Sequence, residues 1–453
     1  MLALNSSATL PRPCAMHCDL LIINATLLAD PSRIELQERM YLAIRNGVIL
    51  ANGSMQILPD RPDAGQTIDA RGGVVMPGLV NGHTHAAMTL FRGLADDLPL
   101  MSWLQEHIFP AEAAYVDEEM VYWCSKLAAA EMIMAGTTTL VDGYFHEDAA
   151  ALAFADAGIR AVAAQGIIDF PAPGVADPAG NIQAGADFLG KWQGRSPLVT
   201  PALFCHSPYT CGGDTLRRAK DLARSAGVCL CIHVAETAQE VAGIREQHGL
   251  SPVGLLQSLG LLDTGTVCIH GVWLTCEDIA ILKETGAGVV TCPESNMKLA
   301  AGVAPLPALL AAGIPVGLGT DGCASNNDLD LFQEMGMCAR LHKGISLDPA
   351  CVPAARVLEM ATTGGAQLFG LGGTVGRLAP GMRADCIIVD RTRPGLTPLY
   401  NAHTLVYAGR GSDVSTVIID GRVVMQERLL LAFDLRETMA EVRRLSRRIK
   451  SGI

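Results

Sequence analysis

Aromatic side chains are scarce in this chain, at 5% of its 453 residues. That disfavours a platform on which the successive bases of a single strand could stack. Basic residues are also in the minority, 34 Lys+Arg against 46 Asp+Glu, for a formal net charge of −12. A protein that grips a nucleic-acid backbone needs a basic face, so this class is disfavoured too. The uncharged run 299–320 is broken by three prolines and four glycines, which disfavours a membrane-spanning helix. No C-x-x-C pair occurs, which argues against a zinc ribbon. The 14 cysteines are too dilute for a disulfide scaffold. Cys205, Cys229, Cys231, Cys268 and Cys292 lie in apolar, strand-like runs and read as small buried hydrophobes. The first residues lack a basic segment followed by an apolar one. Residues 1–18 therefore read as a loose leader and not a signal peptide, with a reducing cytoplasm as the expected compartment.

What is present is a chain that is 49% hydrophobic and able to bury a large core. Short apolar runs separated by turn residues open it, as in Leu20-Leu21-Ile22-Ile23 and Tyr41-Leu42-Ala43-Ile44. The same texture returns late, at Cys386-Ile387-Ile388-Val389 and Thr416-Val417-Ile418-Ile419. Between them, apolar strands alternate with amphipathic stretches such as 118–134 and 213–225. Eight strand candidates end near His85, Phe145, Asp169, His206, Glu236, Gly271, Asn296 and Asp321. Eight strand–helix units in succession predict an α/β fold, a (β/α)8 TIM-like barrel. The two β-rich flanks are expected to join as one small composite β-sandwich. The expected division is 19–75 and 375–430 for that module, 76–374 for the barrel and 431–453 for a C-terminal helix.

In such a barrel the reacting side chains project from the C-terminal ends of the strands. Strand one ends Gly82-His83-Thr84-His85, and alternation lets His83 and His85 face one point. Strand five carries His233 and then Glu236, strand six ends on His270, and strand eight ends Thr320-Asp321-Gly322. Each piece alone has a plain structural explanation: a lone histidine is often a satisfied core residue, and Asp before Gly often starts a turn. Jointly, H-x-H, H, H and D fall at the same ends of successive strands. Three histidines and one carboxylate drawn from them suit Zn²⁺ or a similar divalent ion.

These phrases resemble the amidohydrolase superfamily, in its cytosine-deaminase-like and chlorohydrolase-like branch. The motifs are Pro77-Gly78-Leu79-Val80-Asn81-Gly82-His83-Thr84-His85, His233-Val234-Ala235-Glu236-Thr237, Gly319-Thr320-Asp321-Gly322 and Gly381-Met382-Arg383-Ala384-Asp385. A nearer likeness is to the 5′-methylthioadenosine/S-adenosylhomocysteine deaminases. It is carried by Phe109-Pro110-Ala111-Glu112, His206-Ser207-Pro208-Tyr209 and Pro293-Glu294-Ser295-Asn296-Met297-Lys298. The resemblance implies His83, His85, His233 and Asp321 as metal ligands, Glu236 as proton shuttle and His270 as a partner of the attacking water or the tetrahedral intermediate. It also implies Glu112 on the ribose hydroxyls and His206 near the sugar or 5′ substituent. Trp103 is expected either against the apolar part of the ligand or simply in the core.

Dinuclear members of this superfamily bridge their metals with a carboxylated lysine at the end of strand four. Here that strand reads Leu203-Phe204-Cys205-His206, without lysine, and Lys126 and Lys191 are the only lysines between His85 and His206. One metal is expected, Zn²⁺ first and Fe²⁺ second. Deaminases that act on bases within polynucleotides use H-x-E with P-C-x-x-C, a pairing missing here, so the expected substrate is a free nucleoside. The implied reaction is hydrolytic deamination at C6 of adenine. Where relatives are expected to present arginine to the carboxylate of S-adenosylhomocysteine, this chain has Gln165, and residues 170–175 contain no basic side chain. A glutamine cannot neutralise charge. The expectation is therefore 5′-methylthioadenosine ahead of S-adenosylhomocysteine, with adenosine third, unless Arg160 or a partner subunit supplies the cation. Alternatives are an s-triazine amino- or chlorohydrolase, a guanine-type base deaminase, or a non-catalytic binding barrel, which would show a broken ligand set. The resemblance also suggests a homodimer or higher assembly. Residues 93–99 are either a lid or an ordinary surface loop.

Overall fold

The computed structural model describes residues 17–58, 62–98 and 100–450. The expected leader at 1–18 lies almost wholly outside them, as does Pro99 of the 93–99 loop. Eight parallel strands run in sequence order: β1 (Leu79–Thr84), β2 (Thr137–Tyr144), β3 (Arg160–Ile167), β4 (Val199–Cys205), β5 (Leu230–Val234), β6 (Thr266–His270), β7 (Gly288–Thr291) and β8 (Val316–Leu318). The barrel expectation is borne out. Each strand is buried on both faces, which is why the strands read as near-continuous apolar runs.

Ladders join every consecutive pair from β1 to β8, and the seam between β8 and β1 is closed by other means. The Asp321 amide donates to the His83 carbonyl at 3.0 Å. Asn81 accepts from the Thr320 amide at 3.0 Å and donates to Thr320 Oγ1 at 2.7 Å. The seam thus ties the residues flanking two proposed ligands to each other. Inside the barrel, alternation turns Val141, Val162, Ala164, Phe204, Val267 and Val290 into one apolar cluster with Leu368 and Phe369.

The chain ends do come together. Strand Val74–Pro77 pairs antiparallel with Cys386–Val389, Met76 opposite Ile387. Nine strands, five from the N-terminal side and four from the C-terminal side, form one hydrogen-bonded mixed sheet. A buried ion pair fastens this sheet to the barrel. Arg160, the first residue of β3, donates to Asp385 at 2.8 and 3.0 Å and to Asp420 at 3.3 Å. Arg160 is therefore committed at the end of β3 that begins the strand, far in register from the strand's C-terminal end.

A helix spans Glu118–Met134, as expected, and the C-terminal helix, expected within 431–453, runs Leu435–Lys450. The seventh strand is shorter than expected. It stops at Thr291, and Pro293 opens the helix Pro293–Lys298, so Asn296 sits one turn into a helix. Proline at a first helical position lacks only an amide hydrogen that would be unpaired there anyway. The thirteen cysteines among the described residues are free, and Cys229 is only partly buried where Cys205, Cys231, Cys268 and Cys292 are buried. No helix among the described residues is long and apolar enough to cross a membrane.

Candidate metal centre and active site

Strand alternation brings His83 and His85 to one side of the end of β1, facing β5, β6 and the turn after β8. His83 Nε2 lies 3.3 Å from His233 Nε2 and 3.4 Å from Asp321 Oδ1. His85 Nε2 lies 3.5 Å from the same Asp321 oxygen. Donors about 2.0–2.1 Å from a tetrahedral ion stand roughly 3.3 Å apart, so these separations match a shared ion. His83, His85 and His233 form one group able to hold a metal, and His83, His270 and Asp321 form a second that shares His83.

The protonation states favour such an ion. Burial pushes His83 down to about 4, opposed by its hydrogen bond to Asp321. Burial and the neighbouring His83 push His233 well below the ordinary histidine value. Neutral imidazoles present lone pairs, the form a metal takes. Burial alone would raise the Asp321 carboxyl, but the hydrogen bond to His83 and the fields of His83, His85 and His270 hold it well below the usual range.

Supporting groups fix each ligand. His85 Nδ1 donates to the Gly143 carbonyl at 2.6 Å, which leaves Nε2 as the donor atom for an ion. Asp142 accepts from Thr84 Oγ1 and from the Ala86 amide, both at 2.7 Å, gripping the residues on either side of His85. Asp321 Oδ2 accepts from Ser295 at 2.7 Å and Ser325 at 2.8 Å. His270 Nδ1 donates to Asn296 Oδ1 at 2.9 Å, turning Nε2 toward Glu236 Oε2 at 3.8 Å. Ala235, His270 and Asp321 all adopt left-handed backbone, with φ of 53°, 71° and 61°. Such residues cost about 1–3 kcal/mol each and persist only where their surroundings impose them. Here they cluster at strand ends around one point.

Glu236 is held through its backbone. Glu240 accepts from the Ala235 amide at 2.8 Å and from the Glu236 amide at 2.7 Å. Thr237 caps the helix Ala238–His248 by accepting from the Glu240 amide. The spacing Thr237-x-x-Glu240 is a helix-start signature legible in the sequence, although no role was drawn from it. Burial raises the Glu236 carboxyl, against the opposing field of His270.

Above these groups opens a cavity. His85, His206, His233, His270, Glu236 and Asp321 line its floor, and Glu112 and Tyr144 stand on its wall. Trp103, Leu100, Leu104, Ile108, Phe109 and Leu299 are among its apolar lining residues. Of these, five come from one segment, 100–109, in which Trp103–Ile108 is a π-helix. No lysine or arginine among the described residues lines it. Tyr144 Oη donates to Glu112 Oε1 at 2.6 Å, and burial pushes the Glu112 carboxyl up to about 7 against that hydrogen bond. Burial, with the nearby His85, pushes His206 down to about 3, and His206 Nδ1 meets Thr210 Oγ1 at 2.9 Å.

One expected contact is not brought to the cavity. Val162 and Ala164 of β3 point into the barrel, so Gln165 points toward the helix layer, where its amide donates to the Gly166 carbonyl at 3.2 Å. Gln165 is absent from the cavity lining. Arg160, the cation considered for the substrate, is held by Asp385 and Asp420. At the end of β4, Phe204 stacks on His83 with ring centres 5.5 Å apart and meets His233 edge-on at 4.8 Å. Lys126 bonds Tyr122 on its own helix, and Lys191 pairs with Asp148.

The model of the amidohydrolase family matches residues 74–424. The chain belongs to the amidohydrolase family. Over 436 residues it is 48% identical to the 5-methylthioadenosine/S-adenosylhomocysteine deaminase of Syntrophobacter fumaroxidans, covering 96% of this chain and 99% of that one. It is 42% identical to the 5′-deoxyadenosine deaminase of Methanosarcina mazei, with 96% and 99% covered. Among solved structures, a zinc-bound adenosine deaminase from Xanthomonas campestris superposes with a TM-score of 0.93 at 37% identity, covering 97% of this chain and all of that one. An atrazine chlorohydrolase from Arthrobacter aurescens shares the fold at 22% identity, with a TM-score of 0.87 and 94% of this chain covered.

Proposed function

We propose that this protein is a metal-dependent hydrolase that removes the C6 amino group of an adenine nucleoside as ammonia, with 5′-methylthioadenosine preferred. The observation that carries the reading is the cavity itself: His85, His233, His270 and Asp321 converge on its floor, Glu112 is buried on its wall, apolar side chains line the rest, and no lysine or arginine among the described residues lines it. The relatives named for 5-methylthioadenosine, 5′-deoxyadenosine and adenosine deamination support the same class.

His83, His85, His233 and Asp321 would hold one divalent ion, zinc by its fit to nitrogen and oxygen donors, with iron the second candidate. The end of β4 carries Phe204, stacked on His83, and no lysine, which supports a single ion. Once bound, the ion supplies Lewis acidity that makes water a nucleophile near neutral pH. Asp321 Oδ1 faces the same point and accepts the proton that water gives up as it attacks C6. Glu236, its carboxyl raised by burial, carries a proton to the ring nitrogen beside the reacting carbon. His270 Nε2, aimed by Asn296, hydrogen-bonds the oxygen added at C6. Glu112 accepts from the sugar hydroxyls, and His206 borders the sugar or its 5′ substituent. Trp103 and Leu104 offer that substituent an apolar wall. A thioether suits this wall; an amino-acid zwitterion would bury two charges without a partner.

The test is ammonia release from equal concentrations of 5′-methylthioadenosine, S-adenosylhomocysteine, adenosine, guanine and melamine. The expected order places 5′-methylthioadenosine first. Equal turnover of S-adenosylhomocysteine would end the argument from the missing cation. Activity only on a bare base or a triazine would overturn the nucleoside reading.

A further inference from the structure

Glu112 does not sit on the barrel. It belongs to the short helix Phe109–Tyr115, which follows the π-helical turn across the cavity mouth. Its carboxylate is buried and, among the described residues, accepts one hydrogen bond, from Tyr144 Oη. Tyr144 is the last residue of β2, locked in the ladder opposite Gln165. The residue before it, Gly143, receives His85 Nδ1. One strand end therefore sets both the orientation of a ligand histidine and the position of the wall carboxylate.

We propose that Tyr144 is the positioning residue for recognition of the sugar diol, holding Glu112 so that its second oxygen is presented to the 2′ and 3′ hydroxyls. The inference rests on the reading of Glu112 as the sugar acceptor. A glutamate side chain has several rotatable bonds, and on a segment outside the barrel it needs an anchor to hold one pose. The phenol is stiff and stands on a strand. By donating to Oε1 it leaves Oε2 open, and a carboxylate oxygen can accept two hydrogen bonds. Donation also favours the ionised form, whereas a protonated Glu112 would spend one oxygen as a donor. Tyr144 thus makes the sugar site an acceptor site and ties it in register to the reacting centre.

The experiment compares kcat and KM for 5′-methylthioadenosine and for the same molecule lacking the 2′ and 3′ hydroxyls. Wild type, Tyr144→Phe, Glu112→Gln and the double variant are assayed, with metal content and melting curves measured for each. A site built to pair a hydroxyl discriminates strongly against an analogue without it. The expected result is that Tyr144→Phe lowers kcat/KM for the riboside about 10-fold or more, mainly through KM, while the dideoxy compound changes by less than about 2-fold. In the Glu112→Gln background, Tyr144→Phe should have no further effect, because both act through one interaction. If Tyr144→Phe does not fold, Glu112→Asp, which draws the carboxylate away from the Tyr144 hydroxyl, makes the same comparison between riboside and dideoxy compound, with the same selective loss expected. Equal losses on both substrates, or a further loss in the Glu112→Gln background, would overturn the role of Tyr144 and leave Glu112 standing. A wild-type enzyme that handles both compounds equally would overturn the sugar-acceptor reading of Glu112 itself.

Discussion

His83 Nε2 faces His233 Nε2 across 3.3 Å, and burial keeps both rings uncharged near neutral pH. Two neutral imidazoles at this distance gain little from each other and much from a cation between them. Removal of the ion by a chelator should abolish turnover and lower the melting temperature, because a ligand bound only by the folded state stabilises it. His233→Ala should bind zinc more weakly than the ~10–100-fold loss typical of disturbing a supporting residue. Elemental analysis and competition with a coloured chelator measure both. One ion per chain in His233→Ala at wild-type affinity would remove His233 from the ligand set.

Glu236→Gln keeps the shape of the side chain and its backbone clasp to Glu240 but cannot shuttle a proton. The metal content should stay at the wild-type level while kcat falls by about 10²–10⁴. Near-normal turnover in this variant would assign the proton transfer elsewhere.

Glu112 supplies a pH dependence whose sign is fixed. Burial lifts its carboxyl to about 7, so the folded protein protonates it below that value. Only the ionised form offers all its lone pairs to the sugar. The contribution of Glu112 to kcat/KM for 5′-methylthioadenosine should therefore rise as pH increases through about 7. The 2′,3′-dideoxy analogue, and the riboside with Glu112→Gln, should lack this inflection. The folded group holds a proton between its ordinary value of 4.5 and about 7, where the unfolded chain does not. Its contribution to stability thus declines as pH rises through that window. An inflection that persists in Glu112→Gln would belong to another group.

Arg160 decides between a structural and a substrate role. Its guanidinium is nearly inaccessible and shared between Asp385 and Asp420. Arg160→Met leaves the buried Asp385 carboxylate without its cation, while Asp420 keeps Arg383 at 3.1 Å, and should cost about 3–5 kcal/mol of stability. The kcat/KM for every nucleoside should be unchanged at temperatures where the variant is folded. A selective loss with S-adenosylhomocysteine and an unaltered melting curve would restore Arg160 to the substrate.

The contrast between Arg160 and His83 shows what was legible in the sequence. Period-two alternation and the punctuated order of strands and helices were enough for the barrel, the joining of the chain ends and the convergence of His83, His85, His233 and Asp321. The same alternation, applied to Ala164 and Gln165, would have turned Gln165 away from the cavity; likeness to a motif position outweighed it. The roles of Ser295, Ser325 and Asn296 were not legible, because they arise where the helix after β7 and the turn after β8 approach Asp321 and His270 from outside the strand pattern. Tyr144 and Glu112 lie 32 residues apart. No local spacing announces a pair that the closure of the segment over the barrel creates.

Gly319 tests whether the seam of the barrel sets the metal geometry. A Cβ at this position would lie 2.8 Å from both the Cβ and the backbone nitrogen of His83 and 3.0 Å from its carbonyl oxygen. Those atoms belong to a ligand residue whose carbonyl also accepts the Asp321 amide, so they have no slack to give. Gly319→Ala must push β1 away from the end of β8, widening the gap between His83 and Asp321. Overpacking of this kind costs about 1–3 kcal/mol, and zinc affinity should fall by roughly 10–100-fold, the range seen when support for a ligand is disturbed. Gly373→Ala is the control, since nothing lies within 4 Å of a Cβ placed there. Melting of the metal-free proteins separates the packing cost from the loss of binding. If Gly319→Ala melts lower but binds zinc as tightly as wild type, the ligands tolerate a shifted seam, and the His83–Asp321 separation is held by Ser295 and Ser325 instead.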